Sequence, residues 1–208
     1  MKLLLFIISL VTAASCNPKL FSAKWVREQS PERFVARFET SKGNFDLQIM
    51  RQASPAAADR FYQLVKHHYY DNALFYRVVP NFVVQFGTTD SVKLNHWSHY
   101  TIPDEAVRQG NTRGSLSFAR SGKETRGTEL FINLKDNLFL DSIDYAGVKG
   151  FPAFGRVIAG MEVVEALYDG YDDNTMGQLS TMYSNRAQFL NSFPKLDSIR
   201  KAYLVRRR

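Results

Sequence analysis

Cysteine is almost absent from this chain, and so are the short motifs that mark the commoner catalytic sites. One cysteine among 208 residues excludes an intramolecular disulfide. The sequence contains no G-x-S-x-G, no P-loop and no G-x-G-x-x-G, so it gives no sign of a serine nucleophile or a bound nucleotide. The histidines form one adjacent pair, His67 and His68, and one spaced pair, His96 and His99, and neither pair has a cluster of carboxylates or cysteines beside it. We therefore expect no metal ion and no cofactor.

A long hydrophobic run is also missing. The most apolar stretch lies at the N-terminus, covers only residues 3–11 and contains Ser9, so it is too short to span a bilayer permanently. Lys2 precedes this stretch and the small residues 13–15 follow it, which is the pattern of a signal peptide with its cleavage site. We therefore predict that residues 1–15 are a signal peptide and that the mature protein is exported.

The single cysteine, Cys16, directly follows the predicted cleavage site. Residues 13–16 resemble the lipobox of bacterial lipoproteins, in which the cysteine is lipidated after cleavage, although Ala13 stands where leucine is usual. A plain thiol at the mature N-terminus is the alternative. Lipidation would anchor the protein to a membrane without spanning it. Residues 16–32, which contain two prolines, would then form the tether.

The net charge of +7 comes partly from a basic C-terminal end made of Arg200, Lys201 and residues 206–208. A basic tail can attract nucleic acid or anionic lipid. However, no groove of basic residues interleaved with aromatic ones accompanies it, and export conflicts with a nucleic-acid partner. We therefore interpret the tail as a solvated terminus and expect no nucleic acid among the partners.

Alternation of apolar and polar residues predicts a domain built mostly from short strands. Residues 34–38 and 45–49 alternate on either side of a glycine-containing turn, as in a β-hairpin. A helix over residues 56–67 follows, with Ser54 suited to its cap and Pro55 to its first turn. The remaining patterns predict strands within residues 75–87, 115–118, 129–134 and 153–157, helices at 160–167 and 183–190, and a long polar surface loop at 88–110. From these patterns alone the fold is all-β or α+β, either a barrel or a sandwich.

Three segments stand out because charged or amide residues interrupt apolar strands. The first, residues 75–87, places Arg77 in one apolar strand and Gln85 in the next, and a buried guanidinium is costly unless it has a partner. The second segment covers residues 127–133 and the third residues 151–157. In their order and spacing, the three segments resemble the cyclophilins, which are peptidyl-prolyl cis/trans isomerases.

This resemblance covers roughly residues 33–199. It implies a mainly β fold, a closed eight-stranded antiparallel β-barrel capped by two helices, with residues 33–208 as the isomerase domain and its C-terminal extension. It also implies an enzyme that accelerates rotation about Xaa-Pro bonds during protein folding in the cell envelope. The partners would be unfolded or extended proline-containing polypeptides.

Position-by-position matching to the family implies a site. Arg77 and Gln85 would be catalytic and would bond the substrate backbone, and an apolar pocket would hold the proline ring. The residues implied to bind substrate are Phe82, Val83, Ala119, Arg120, Glu129, Phe131, Phe139, Leu140 and Phe151.

Strand parity bears on one of these residues independently of the resemblance. Side chains alternate between the two faces of a strand. If Leu130 and Ile132 face the core, Phe131 faces outward beside Glu129 and Asn133. An outward aromatic flanked by polar groups suits a binding surface, although an ordinary exposed or loop-covered phenylalanine fits the pattern equally well.

The chemistry explains why such a site needs an arginine. Amide resonance gives the peptide bond a rotation barrier of ~18–20 kcal/mol, and the proline nitrogen regains a lone pair when the bond twists. A donor aimed at that nitrogen stabilises the twisted form more than the planar one. Arg77 is always charged and offers several donors, and an apolar pocket strengthens the contact by excluding water. No nucleophile, metal or cofactor is required.

Three positions depart from the common family pattern. Glu129 stands where glutamine is usual, and an ionised carboxylate cannot donate to a substrate carbonyl. Its charge could instead pair with Arg77 and dampen catalysis, or it could favour basic substrates. Phe139 replaces the tryptophan of cyclosporin-sensitive members, so we expect weak cyclosporin binding. Phe151 replaces histidine or tyrosine and lacks a polar tip. The Glu129 departure leaves open an alternative function, a proline-peptide binding module or envelope chaperone with vestigial isomerase activity.

Overall fold

Short strands dominate the observed fold, as the sequence pattern predicts. The structure, a computed structural model, describes residues 21–87 and 91–205, so the predicted signal peptide, Cys16 and residues 206–208 lie outside the described residues. The strands are β1 (Arg33–Thr40), β2 (Gly43–Met50), β3 (Leu74–Val79), β4 (Val83–Gly87), β5 (Ser115–Phe118), β6 (Leu130–Asn133), β7 (Asp144–Tyr145), β8 (Val148–Lys149), β9 (Ala153–Ala159) and β10 (Ile199–Leu204). The α-helices are α1 (Pro55–Lys66), α2 (Ser91–Ser98), α3 (Met161–Glu165), α4 (Leu179–Ser184) and α5 (Arg186–Ser192). Across these two described ranges, no helix combines the length and the apolar character that a membrane crossing needs.

Eight strands form one antiparallel sheet in the order β10-β1-β2-β9-β5-β6-β4-β3. The two ends of this sheet meet, because Leu74 at the start of β3 pairs with Ser198 just before β10. The Phe75 N–H also donates to the Asp197 carbonyl at 3.0 Å. The sheet is therefore an almost closed barrel, which confirms the predicted eight-stranded antiparallel architecture.

Aromatic side chains fill the barrel and hold α1 against it. Phe38 and Phe45 face each other in the register of β1 and β2, and their rings stack at 5.1 Å. Phe61 on α1 contacts Phe38 at 6.2 Å and Phe154 of β9 at 5.8 Å. These four rings are almost fully buried. Burial of large apolar rings is the main stabilising contribution here. The observed helix α1 begins and ends one residue earlier than predicted.

The predicted loop at residues 88–110 is wrong in part, because its described portion contains the helix α2. Trp97 is the buried residue of α2. Its ring meets that of Tyr69 edge-to-face at 6.1 Å and lies 5.5 Å from the Arg60 guanidinium carbon. A single anchoring residue gives no helical periodicity, so the sequence pattern did not reveal the helix.

The described residues contain five α-helices, more than the three that the sequence pattern predicted and the two caps that the resemblance implied. The single helix predicted at residues 183–190 is instead two short helices, α4 and α5, which are separated at Asn185. Asn185 has an extended backbone, and its side chain accepts a hydrogen bond from the Gln188 N–H at 3.1 Å, so it caps α5. These helices form a second apolar cluster on the outside of β3, made of Leu74, Tyr76, Met182, Phe189 and Phe193.

The described residues of the predicted tether pack against α1 and α2. Trp25 lies in a single 3₁₀ turn, and its ring stacks on that of His67 at 3.8 Å. Phe21 meets Trp97 edge-to-face at 5.2 Å. The Ser30 N–H and hydroxyl both donate to Asp59, at 2.8 and 2.9 Å. Residues 21–32 are therefore part of the packed domain.

Candidate active site

One cavity of about 400 Å³ is lined by all the predicted substrate-site residues except Glu129. The predicted residues that line it are Arg77, Phe82, Val83, Gln85, Ala119, Arg120, Phe131, Phe139, Leu140 and Phe151. Sequence reasoning missed three more lining residues, Ile143, Tyr145 and Met176. All three are exposed, and the first two belong to the segment around the β7–β8 hairpin, which has no clear sequence signature.

Adjacent strands bring the polar pair and the central aromatic together. Arg77 on β3 lies opposite Gln85 on β4, and Gln85 in turn lies opposite Phe131 on β6. Leu130 and Ile132 belong to the main core, so Phe131 points to the outer face of the barrel as strand parity predicts. Phe131 is nevertheless only 5 % exposed. The cavity is thus lined by a third apolar cluster, set on the outer face of the sheet.

The loop after β6 supplies the walls that bury Phe131. A 3₁₀ turn at Leu138–Asp141 brings up Leu140, which packs with Phe131 and Phe151. The rings of Phe131 and Phe151 meet edge-to-face at 5.8 Å. Phe139 lies at the rim, 52 % exposed, and stacks on Phe82 with 6.0 Å between ring centroids. The cavity therefore has an aromatic floor and an open aromatic edge.

Arg120 fixes the position of Phe151. Its guanidinium carbon lies 4.1 Å from the centroid of that ring, and its Nη2 donates to the Val148 carbonyl at 2.8 Å. Burial lowers the pKa of Arg120 from its ordinary value, and the guanidinium remains charged at neutral pH. A cation held between a ring and backbone carbonyls acts as a wall of the cavity.

Arg77 is held on three sides. Its Nη1 donates to the Gln85 Oε1 at 3.2 Å, and its Nε donates to the Asp173 carboxylate. Its guanidinium carbon lies 5.6 Å from the Phe82 ring centroid. The side chain is 19 % exposed, at the edge of the apolar cavity. The geometry presents a fixed, charged donor next to an apolar cavity that can receive a ring.

A buried network of amide side chains bonds to the backbone around the cavity, and no sequence pattern predicted it. Asn111 donates from Nδ2 to Asp141 and to the Phe151 carbonyl, both at 2.7 Å. Asn137 donates to the Phe82 carbonyl at 2.9 Å and to Asn133 at 2.8 Å. Buried polar side chains need partners of this kind. Their bonds fix the backbone that carries two of the aromatic walls.

Glu129 occupies a different place from the one expected. It lines a neighbouring cavity of about 350 Å³, where Tyr76 donates to its Oε2 at 2.9 Å. Gly87 makes room for it, because a Cβ at that position would lie 1.9 Å from Oε2. The hydrogen-bond partners of Arg77 and of Glu129 in the described chain do not include each other. The pairing with Arg77 that the sequence left open for Glu129 is therefore not formed, and Asp173 takes that place.

Burial raises the pKa of Glu129 to about 7, and hydrogen bonds from Tyr76, Thr128 and Tyr183 only partly oppose this. The same burial, with the nearby carboxylate, raises the pKa of Tyr183. Tyr183 lies on α4, so the carboxylate links the α4–α5 helices to the barrel. The group changes charge near neutral pH, outside the main cavity.

This pKa predicts a pH dependence of stability. A carboxyl group with a higher pKa in the folded state binds a proton on folding, so its contribution to stability is lost as pH rises from about 4.5 to about 7. The free energy of unfolding of Glu129→Gln, relative to that of the native protein, should therefore rise by about 1–3 kcal/mol between pH 5 and pH 8. Urea unfolding at both pH values measures this difference. Glu162→Gln, an exposed carboxylate on α3, should show no such trend, and a pH-independent difference for Glu129→Gln would contradict the assignment.

The described residues hold no group of three or more His, Cys, Asp or Glu side chains that could bind a metal ion.

Comparisons with known proteins identify the family to which the chain is similar. A family model described as "Cyclophilin type peptidyl-prolyl cis-trans isomerase/CLD" matches residues 35–186. The chain is 33 % identical to a peptidyl-prolyl cis-trans isomerase of Acinetobacter baylyi over 135 residues, which covers 64 % of this chain and 71 % of that protein. It is 34 % identical to peptidyl-prolyl cis-trans isomerase A of Dickeya dadantii over 139 residues, 65 % of this chain and 71 % of that protein. A crystal structure of a Cryptosporidium parvum cyclophilin-type isomerase superposes with a TM-score of 0.57 at 20 % identity, covering 85 % of this chain and 99 % of that one.

Proposed function

The chain belongs to the cyclophilin-type peptidyl-prolyl cis-trans isomerase family, and on that premise we propose that Arg77 and Gln85 catalyse Xaa-Pro rotation in exported polypeptides of a bacterial cell envelope. The protein is a peptidyl-prolyl cis-trans isomerase (EC 5.2.1.8), and cyclophilins act on proline-containing peptides. The proposal adds the residues that carry the reaction and the compartment in which it occurs.

One observation carries the assignment of the site. Arg77 and Gln85 are register partners on neighbouring strands, hydrogen-bonded at 3.2 Å, beside an apolar cavity of about 400 Å³. A proline ring is apolar and compact, whereas the amide next to it is polar. The arrangement matches both halves of an Xaa-Pro unit, with Phe131, Leu140 and Phe82 around the ring and Arg77 beside the nitrogen.

The mechanism follows from differential binding. Uncatalysed Xaa-Pro exchange takes roughly 10–100 s at 25 °C. When the bond twists, resonance is lost and the proline nitrogen becomes an acceptor that the planar amide does not offer. An Arg77 N–H directed at this nitrogen stabilises the twisted state, and Gln85 holds the guanidinium and bonds the substrate backbone. The Phe131 and Phe151 rings exclude water and so strengthen this contact.

An exchange experiment tests the proposed site and separates it from the alternative of a proline-peptide binder with vestigial activity. Exchange of an Ala-Xaa-Pro-Phe peptide is measured by NMR with residues 17–208 and with Glu129→Gln. We expect fast exchange with both proteins, because Glu129 lies outside the main cavity. Peptide binding with exchange restored only in Glu129→Gln would favour the binder and overturn the proposal.

The proposed envelope location rests on the N-terminal sequence. Lys2, the apolar residues 3–11 and the small residues before Cys16 have the order of a lipoprotein signal. These positions lie outside the described residues, so the proposal draws its support from sequence alone. A lipidated Cys16 would hold the isomerase domain near a membrane, where exported chains fold.

Lipidation of Cys16 predicts a defined mass for the mature N-terminal peptide, and it predicts that Cys16→Ser no longer binds membranes. Protein expressed from the full gene should carry a diacylglycerol-modified Cys16 at its mature N-terminus and should partition with membranes. Cys16→Ser should abolish both the modification and the partitioning while leaving the exchange rate of the domain unchanged. Mass spectrometry of the N-terminal peptide gives the result, and an unmodified Cys16 in membrane-free protein would disprove the lipid anchor.

A further inference from the structure

The loop between α3 and α4 runs alongside the strand that carries Arg77. Asp172 forms a β-bridge with Val78, and the buried Thr175 hydroxyl donates to the Tyr76 carbonyl. The loop is therefore fixed to β3 at the residues on both sides of Arg77. Met176, from the same loop, lines the main cavity. This attachment brings Asp173 to the guanidinium across 96 positions of sequence.

Asp173 and Gln85 hold opposite edges of the Arg77 guanidinium. Asp173 accepts from Nε and Gln85 accepts from Nη1, while the Phe82 ring lies 5.6 Å from the guanidinium carbon. Among the described residues, no hydrogen-bond acceptor contacts Nη2. These contacts restrict the orientation of the planar guanidinium, and Nη2 is the nitrogen left to donate to substrate.

We propose that Asp173 is a positioning residue, which orients the Arg77 guanidinium for transfer of its hydrogen bond to the proline nitrogen. This inference rests on the proposed catalytic role of Arg77. It adds to that role a carboxylate from outside the barrel, which occupies the place beside Arg77 that the sequence left open for Glu129.

The exposure of the pair makes the role testable. The Asp173 side chain is 61 % exposed, and exposed ion pairs contribute little to folding stability. Removing the carboxylate should therefore shift Tm by less than about 3 °C. A change in rate then reports on the orientation of Arg77 rather than on unfolding.

The first measurement compares Asp173→Ala, Asp173→Asn and the control Asp172→Asn. We expect kcat/KM to fall about five- to tenfold in Asp173→Ala, because a freed guanidinium samples unproductive orientations. The peptide Kd should stay within about twofold, since the cavity walls are unchanged. Asp173→Asn should recover most of the activity, because its side-chain oxygen still accepts from Nε. Asp172 is the exposed neighbour in the same loop and tolerates asparagine at its positive φ of 47°, so its variant should match the native rate.

The second measurement is a double-mutant cycle with Arg77→Ala. If Asp173 acts through Arg77, adding Asp173→Ala to Arg77→Ala should change the rate by less than about 1.5-fold. The Arg77 Nε–H resonance, which we expect to be sharp in the native protein, should broaden or shift in Asp173→Ala. Native or higher activity of Asp173→Ala, or an equal loss in the Arg77→Ala background, would overturn the inference. Full activity of Arg77→Ala itself would instead overturn the proposed site, so the two failures are distinguishable.

Discussion

Arg77→Ala is expected to lower kcat/KM for Xaa-Pro exchange by about 10²–10³-fold while the barrel remains folded. Removing one preorganised donor from an enzyme site typically has an effect of this size. Arg77 is such a donor, since Gln85 and Asp173 hold its guanidinium beside the apolar cavity. A remaining rate above the uncatalysed one is expected, because Phe131 and Leu140 still bind the proline ring and exclude water.

The variant should fold because Arg77 contributes little to the core. Its side chain projects to the outer face of β3 and pairs with an exposed carboxylate, and exposed pairs contribute about 0–1 kcal/mol. Circular dichroism and urea unfolding would establish this before the rates are compared. Arg37→Ala is the matched control: Arg37 also lies on a strand and pairs with a carboxylate, Asp46, at 2.8 Å, but it does not line the cavity. Equal rates for Arg77→Ala and Arg37→Ala in folded protein would refute the assignment of Arg77.

Asn111→Ala should cause the largest loss of stability among changes near the site. The side chain donates to Asp141 and to the Phe151 carbonyl, and it accepts from Ser117 at 2.9 Å and from Asn133 at 3.1 Å. Alanine leaves these buried groups unpaired. Each such group costs about 1–3 kcal/mol when it loses its only partner, and some retain other bonds, so we expect a loss of about 2–4 kcal/mol.

The same change should also impair catalysis, because the network holds the backbone of Phe151. We expect kcat/KM to fall about tenfold at a temperature where the variant is still folded, with a weaker peptide affinity. Asn95→Ala, which alters an exposed asparagine on α2, should change the free energy of unfolding by less than about 0.5 kcal/mol. A similarly small effect of Asn111→Ala would mean that the network does not support the cavity.

Local patterns predicted a strand-rich domain and the side chains that leave its core. Alternation along β3, β4 and β6 defines those side chains, and the pairing of Arg77 with Gln85 follows once the two strands are joined by a short turn. Alternation did not distinguish a barrel from a sandwich. The closed barrel and the more distant cavity residues, such as Leu140 and Phe151, were predicted from the family resemblance.

The surroundings of the polar groups were not predictable, because their partners are distant in sequence. Asp173 is 96 positions from Arg77, and Asn111 is 40 positions from Phe151. The family resemblance placed Glu129 near Arg77, where the two could pair, and no sequence pattern pointed to Asp173 instead. The α4–α5 region supplies the partners of both groups. Tyr183 on α4 hydrogen-bonds to Glu129, and the loop before α4 places Asp173 beside Arg77.

The placement of the two tryptophans determines what intrinsic fluorescence can report. The chain has two tryptophans. Trp25 stacks on His67, and Trp97 packs against Phe21 and Tyr69, whereas neither lines the main cavity or the cavity beside Glu129. Emission from the native protein therefore follows the docking of the N-terminal residues and of α2 onto the barrel. Substrate occupancy should therefore leave the tryptophan emission unchanged, and Phe139→Trp at the exposed rim would supply a tryptophan signal.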